Sequence, residues 1–164
     1  MAITLSGSGQ VPVQVISTTK TSMFSTTSTS YVDVTGVSVN ITPSSASNKV
    51  LIIVNGYFGG GPSSTAFGYG VVLRNGTTLP VGDARGSAQQ TGMDLSVFNA
   101  GNLSEAAHSF TYMYLDSPST TSAITYKLQV KATINTLNIG GSNSTSDGNR
   151  SNTPTMITVM EISG

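Results

Sequence analysis

Residues able to carry out catalysis are few in this chain. His108 is the only histidine among 164 residues, there is no cysteine, and Asp and Glu together number seven. Serine and threonine are abundant, so a Ser–His–Asp triad would need only a carboxylate such as Asp94 or Asp116 beside His108. However, the sequence has no G-x-S-x-G turn to present a nucleophile. With 48 Ser and Thr residues, a hydroxyl near the histidine carries no information.

A pair of carboxylates of the glycosidase kind is equally unsupported. Such a pair needs two acids at a fixed separation in a cleft, and nothing in the spacing of Asp83, Asp94, Glu105 and Asp116 indicates one. Isolated carboxylates on a β-domain are usually surface residues, and we expect these four to be exposed. We therefore predict that the protein is not an enzyme.

Cofactor and metal sites also find little support. Without cysteine, thiolate zinc and iron–sulfur sites are excluded. The segment 143–149 is rich in oxygen ligands of the kind calcium binds, but Asp147 is its only acid. We predict no cofactor and no dedicated metal site. The alternative of a weakly bound cation at this loop is left open.

The charge balance argues against nucleic-acid and membrane partners. Lys plus Arg and Asp plus Glu are seven each, and only 9% of residues are charged, so the chain lacks the positive field that nucleic acid attracts. The longest apolar run, 50–54, is far shorter than the roughly 20 residues of a membrane span. The N-terminus has neither a basic nor an apolar signal region, so we expect cytoplasmic synthesis without export.

The fold is predicted to be all-β, an antiparallel sandwich of about ten short strands with jelly-roll connections, because alternating apolar residues are punctuated by turn residues throughout. Asn75-Gly76 predicts a two-residue hairpin, and Gly36, where the apolar phase changes, predicts a β-bulge. Pro12 indicates an edge strand or a strand start. The continuous apolar run within 49–55 predicts a central strand covered on both faces.

The remaining patterns refine this arrangement. Phe110, Tyr112 and Tyr114 are predicted on one face of a strand, with Met113 and Leu115 on the other. The polar stretches 17–30 and 140–154 do not resemble strands, and 102–107 offers at most one helical turn. We divide the chain into an N-terminal arm, 1–10, and a single β-sandwich domain, 11–164.

Four aromatic residues form a candidate ligand surface. Tyr57, Phe58, Phe67 and Tyr69 bracket the Gly- and Ser-rich segment 59–64. Aromatic side chains on loops commonly bind sugars or protein partners. The alternative is that they are core aromatics at strand ends.

Several segments resemble a family of bacteriophage structural domains common in marine and environmental phages. The segments that carry the resemblance are spread along nearly the whole chain, at 15–21, 24–36, 41–51, 115–118, 125–130 and 157–162. Members of this family occur at the ends of tail fibres and as short free-standing proteins. They are similar to trimeric jelly rolls of the tumour-necrosis-factor and C1q type, in which the last strand lies near the three-fold axis.

The resemblance implies a virion protein that forms a homotrimer. Its assembly contacts would come from the arm, which could add as a strand to a neighbour, and from the last strand: Ile3, Leu5, Met156, Ile157, Val159 and Ile162. Because few residues precede the first strand, a decoration (cement or head-knob) protein on the phage capsid is favoured. The alternative is a receptor-binding tip of a tail fibre or spike that recognises host-surface glycans.

Overall fold

The computed structural model describes residues 12–60, 65–97, 107–142 and 152–164. Within them the regular elements are all strands: β1 (Pro12–Lys20), β2 (Phe24–Thr26), β3 (Val32–Ile41), β4 (Lys49–Gly60), β5 (Phe67–Arg74), β6 (Thr77–Thr78), β7 (Met93–Asp94), β8 (Ala107–Asp116), β9 (Ile124–Ile134), β10 (Leu137–Ile139) and β11 (Thr155–Ile162). In these ranges no helix could cross a membrane. The all-β prediction is confirmed.

The strands form two antiparallel sheets. Sheet A has the order β1-β11-β4-β8. Beside the far end of β4, the short strand β10 lies in line with β11, and β2 lies in line with β1. Sheet B has the order β3-β9-β5, and the short strands β6 and β7 both pair with the remaining edge of β5. The pairs β1/β11, β3/β9, β4/β8 and β5/β7 are nested one inside the next, which is the connectivity of a jelly roll.

One hydrophobic core lies between the two sheets. Every second residue of each long strand points into it, as period-2 alternation requires. The most completely buried members are Val50, Ile52 and Val54 from β4, Ile157 and Val159 from β11, and Tyr126, Leu128 and Val130 from β9.

Local predictions about turns and irregularities are confirmed. Asn75 and Gly76 both have positive φ, 47° and 89°, and join β5 to β6 in a two-residue hairpin. The register of β3 shifts between Asp33 and Ser38, and Gly36 within that bulge has φ 87°. Pro12 begins β1, which is an edge strand of sheet A.

The prediction that 17–30 does not resemble strand structure is wrong for much of that stretch. β1 continues to Lys20, and Phe24–Thr26 forms β2. Both are edge strands, in which the β-branched threonine suits the extended backbone, so they form without a clear hydrophobic alternation. The predicted arm at 1–10, most of the 140–154 loop and the predicted turn at 102–106 lie outside the described residues.

Candidate assembly surface

The outer face of sheet A is largely apolar. In β4 the core-facing residues are fully buried, whereas Leu51 and Ile53 on the other face are only partly covered. Beside them in β8, Met113 is 66% exposed and Leu115 is 42% exposed. The sequence predicted that both faces of β4 are covered. Within a single chain, only the core-facing side of β4 is fully covered.

The pairing register arranges these side chains in rows across four strands. One row is Val15–Met160–Leu51–Leu115, from β1 through β11 and β4 to β8. The next row contains Ile53 and Met113, flanked by the hydroxyls of Ser17 and Thr158. Lys49, at one end of β4, is the only charged residue on this face among the described strands. We call this surface the assembly face.

The outer face of sheet B has the opposite chemistry. Lys127 forms an ion pair with Asp33, with 2.9 Å between Nζ and Oδ2, and Gln129 donates to the other oxygen of Asp33 at 2.7 Å. These hydrogen bonds, chiefly the one from Lys127, lower the pKa of Asp33. Thr125 donates to Asn40 along the same face. The two outer faces thus differ: β3 and β9 carry polar side chains that bond to one another, whereas sheet A carries apolar side chains that are exposed or partly exposed.

Residues predicted as assembly contacts fall into three groups. Met156 and Ile162 lie on the assembly face and are partly exposed. Ile157 and Val159 point into the core and are fully buried, so they support the last strand and are not surface contacts. Ile3 and Leu5 lie outside the described residues. Leu51, Ile53 and Met160 were missed because their outward direction depends on which neighbours flank β4 and β11.

The four aromatic residues proposed as a ligand surface do not form one surface. Phe58 is 5% exposed and belongs to the core, while Tyr57, on the other side of the same strand, lies at the end of the assembly face. Phe67 and Tyr69 lie in β5 of the opposite sheet. Tyr69 instead belongs to a cluster with Lys131 and Tyr31: the Lys131 ammonium lies 4.9 Å from the Tyr31 ring centroid and 5.7 Å from that of Tyr69.

His108 has no arrangement suited to catalysis among the described residues. It is exposed on β8, with its ring 5.7 Å from that of Phe58 between centroids. Asp116 lies at the opposite end of the same strand, and its carboxylate binds Arg74 and Tyr126. In the described ranges, no three His, Asp or Glu residues come together as a metal site.

Two carboxylates among the described residues are buried, and both connect distant parts of the fold. Asp116, which we expected at the surface, is 4% exposed and joins sheet A to Arg74 and Tyr126 of sheet B. Burial of the Tyr126 hydroxyl, and to a smaller degree its hydrogen bond to Asp116, raise the pKa of Tyr126.

Glu161 is the second buried carboxylate, and it lies in β11 beside the assembly-face residues Met160 and Ile162. Its Oε1 accepts hydrogen bonds from the backbone N–H and the hydroxyl of Ser44, at 2.6 and 2.8 Å, and from Asn48 Nδ2 at 2.6 Å. Its Oε2 accepts from Gln14 Nε2 at 2.6 Å. Burial alone would raise the pKa of Glu161, but these hydrogen bonds outweigh it and hold the pKa at about 2.

The described residues form a jelly-roll sandwich in which the apolar outer face of one sheet is partly exposed. No protein-family model and no curated protein matches the chain. Among solved structures, the chain is similar to one described as the structure of infectious bursal disease virus Gx strain, with a TM-score of 0.43 and 14% identity. That match covers 99% of this chain and 44% of the other, so this chain spans less than half of the viral one.

Proposed function

We propose that this protein is a non-enzymatic structural component of a bacteriophage virion, a homotrimer that assembles through the assembly face and decorates the capsid. The observation that carries the proposal is the apolar outer face of sheet A, on which Met113 and Leu115 are exposed and Leu51 and Ile53 are partly exposed. Its central strands, β4 and β11, have apolar residues on both sides, which is the pattern of strands buried on both faces. A single chain covers one of those sides.

The size of the face supports a protein partner. Four strands about 4.8 Å apart and a run of seven residues at about 3.3 Å each give roughly 400 Å² of projected area. The largest apolar patch on a typical soluble monomer measures about 300–600 Å² and is often a functional site. A surface with so few charges also provides little repulsion between copies.

Three-fold symmetry and the virion setting come from the sequence resemblance to phage structural domains. In the trimeric jelly rolls that those domains resemble, the last strand lies near the axis. Here the last strand is β11, in the interior of sheet A, and Met156, Met160 and Ile162 lie on its outward side. Packing of these faces around an axis would cover the residues that the single chain leaves exposed.

Adding a charge to the assembly face is expected to prevent assembly. Met113→Lys changes a side chain that is largely exposed in the single chain, so the fold should tolerate it. Burying the new ammonium at an interface would be unfavourable, and we expect trimer affinity to fall by about 100-fold or more. Multi-angle light scattering of the unchanged chain should give three times the chain mass of 16.8 kDa, and of the variant one chain mass.

Two further variants make this test specific. Leu51→Lys, at the centre of the face, should have the same effect as Met113→Lys. Ser38→Lys adds the same charge to the polar face of sheet B and should leave the trimer intact. A monomer of the unchanged chain at micromolar concentration, or equal loss with Ser38→Lys, would contradict the proposal.

The capsid location needs a separate measurement. A decoration protein should be present at hundreds of copies per particle, whereas a tail-fibre tip should be present at a few tens or fewer. Quantitative mass spectrometry of purified particles, together with cryo-electron microscopy, distinguishes these two locations.

A second candidate function is receptor binding to host-surface glycans. The observation that favours it is the cluster of Tyr31, Lys131 and Tyr69, which combines aromatic rings with a cation on the outer face of sheet B. That face would point away from the axis of the proposed trimer. Loss of binding to host cells in Tyr69→Ala, with assembly unchanged, would favour this function; retained binding would argue against it.

A further inference from the structure

The four sheet edges are protected to different degrees. Free strand edges invite pairing with other chains, and proteins block them with bulges, prolines, lysines or very short strands. β3 is interrupted by the bulge at Gly36, β1 begins with Pro12 and ends with Lys20, and β6 and β7 have two residues each. Three of the four edges therefore carry a recognisable block.

The β8 edge has none of these features. Its ten residues, Ala107–Asp116, include no proline, glycine, lysine or arginine, and its pairing with β4 is regular from Gly59↔Ala107 to Val50↔Asp116. Within the described part of the chain, the backbone of β8 pairs with β4 alone. Among the described residues, nothing pairs with the second side of this long, regular strand.

Side chains on β8 define what an added strand must carry. Leu115 and Met113 lie at the β8 end of the two rows of the assembly face, so a strand beside them would extend its apolar part if every second residue were apolar. On the other side of β8, Tyr112 points inward and its hydroxyl donates to the carbonyl of Pro80 at 3.2 Å. Small residues therefore suit the intervening positions, where the 79–97 segment approaches.

We propose that the strand added to β8 is segment 1–10 of a neighbouring copy of this chain. This inference deepens the proposed function and rests on it, because it names the contact that links one copy to the next. The segment alternates apolar Met1, Ile3 and Leu5 with the smaller Ala2, Thr4 and Ser6, which is the pattern that the β8 edge requires. Fully extended, the six alternating residues span roughly 20 Å, which is enough to lie beside both Met113 and Leu115.

A neighbouring copy is a better donor than the chain's own N-terminus. The segment enters the domain at Pro12, on the opposite edge of sheet A from β8. To reach its own β8 it would have to cross β11 and β4, roughly 14 Å, over the face that the proposed trimer buries. From an adjacent copy, strand addition satisfies backbone groups and buries Ile3 and Leu5 without that crossing.

Cysteine cross-linking tests this placement cleanly because the chain has no cysteine of its own. Ile3→Cys protein is mixed and reassembled with Met113→Cys protein, and a disulfide-linked pair of chains is expected under mild oxidation. Two mixtures serve as controls: Thr4→Cys with Met113→Cys, where the side chain should point to the other face, and Ile3→Cys with Ser38→Cys, on sheet B. Both should link at least about tenfold more slowly, since the cysteines would lie on opposite faces or sheets.

The double variant Ile3→Cys/Met113→Cys distinguishes an added strand donated by a neighbouring copy from one donated by the same chain. Covalent oligomers on a non-reducing gel support donation from a neighbour, and cross-linked monomers overturn it. If light scattering gives a trimer but Ile3→Cys links no faster than the controls, the strand-addition inference fails while the proposed function stands. A monomeric unchanged chain with no cross-link overturns both.

Deleting residues 1–9 gives an independent readout. The remaining domain should stay folded, and its β8 amides should exchange with deuterium about tenfold faster than in the full chain, because opening no longer requires loss of the added strand. The truncated protein should also assemble incompletely and decorate particles poorly. Unchanged exchange in β8 would overturn the inference.

Discussion

Lowering the pH from 7 to 3 is expected to remove about 2 kcal/mol of folding stability through Glu161 alone. Burial of the carboxylate raises its pKa, but the four hydrogen bonds it accepts outweigh burial, so the pKa in the folded chain is about 2, against an ordinary value of 4.5. The folded pKa is the lower of the two, so the unfolded chain binds the proton more tightly. The contribution is therefore complete above about pH 5 and is lost as the pH falls toward 2.

Glu161→Gln isolates this contribution. The variant's amide carries N–H donors into a site where Ser44, Asn48 and Gln14 already donate, so at pH 7 we expect it to be about 3 kcal/mol less stable than the unchanged chain. Protonated Glu161 resembles glutamine, so the difference should shrink as the pH approaches 3. Urea unfolding followed by tyrosine fluorescence measures this, since the chain has six tyrosines and no tryptophan.

The control for this measurement is Asp83→Asn, which removes one negative charge from an exposed loop position. It should change stability by less than about 0.5 kcal/mol at either pH. Protein concentration must be held constant, because dissociation of an oligomer adds to the apparent unfolding free energy. If Glu161→Gln lowers the free energy of unfolding by the same amount at pH 7 and at pH 3, the strength of the hydrogen bonds to Glu161 does not depend on its charge.

Local sequence patterns determined much of the fold. The Asn75-Gly76 hairpin and the Gly36 bulge depend on backbone conformations that only certain residues adopt readily, so they can be recognised from neighbouring residues. The continuous apolar run in β4 predicted a central strand, because the residues that point to each face of the sheet are all apolar. The same run also predicted that both faces of β4 are buried. A single chain buries the core-facing side fully and the outer side only in part.

The buried polar sites could not be predicted because their partners are far apart in sequence. Glu161 contacts Gln14, 147 positions away, and Ser44, 117 positions away. No local pattern distinguishes it from an exposed glutamate at a strand end. The candidate aromatic surface failed for a related reason: Tyr57 and Phe58 are adjacent in the sequence, yet strand alternation sends them to opposite faces.

The connection between the two sheets at Asp116 is expected to make the second large contribution to stability. Arg74 Nη1 donates to both oxygens of Asp116, at 2.8 and 3.0 Å, and the Tyr126 hydroxyl donates to Oδ2 at 2.6 Å. Asp116→Ala would leave the Tyr126 hydroxyl buried and Arg74, whose side chain is about one-third exposed, without its anion. Removing one partner of a buried pair typically costs 3–5 kcal/mol, and the exposure of Arg74 puts our expectation at about 3 kcal/mol.

The chain contains its own control for this effect. Asp33 forms an ion pair with Lys127 at 2.9 Å, almost the same distance as Asp116 and Arg74, but its side chain is 52% exposed where that of Asp116 is 6% exposed. Asp33→Ala should therefore cost less than about 1 kcal/mol, because water screens the pair and solvates Lys127 once the carboxylate is gone. Denaturant unfolding of the two variants compares burial at nearly constant geometry. Equal losses would mean that burial does not set the strength of the Asp116 contact.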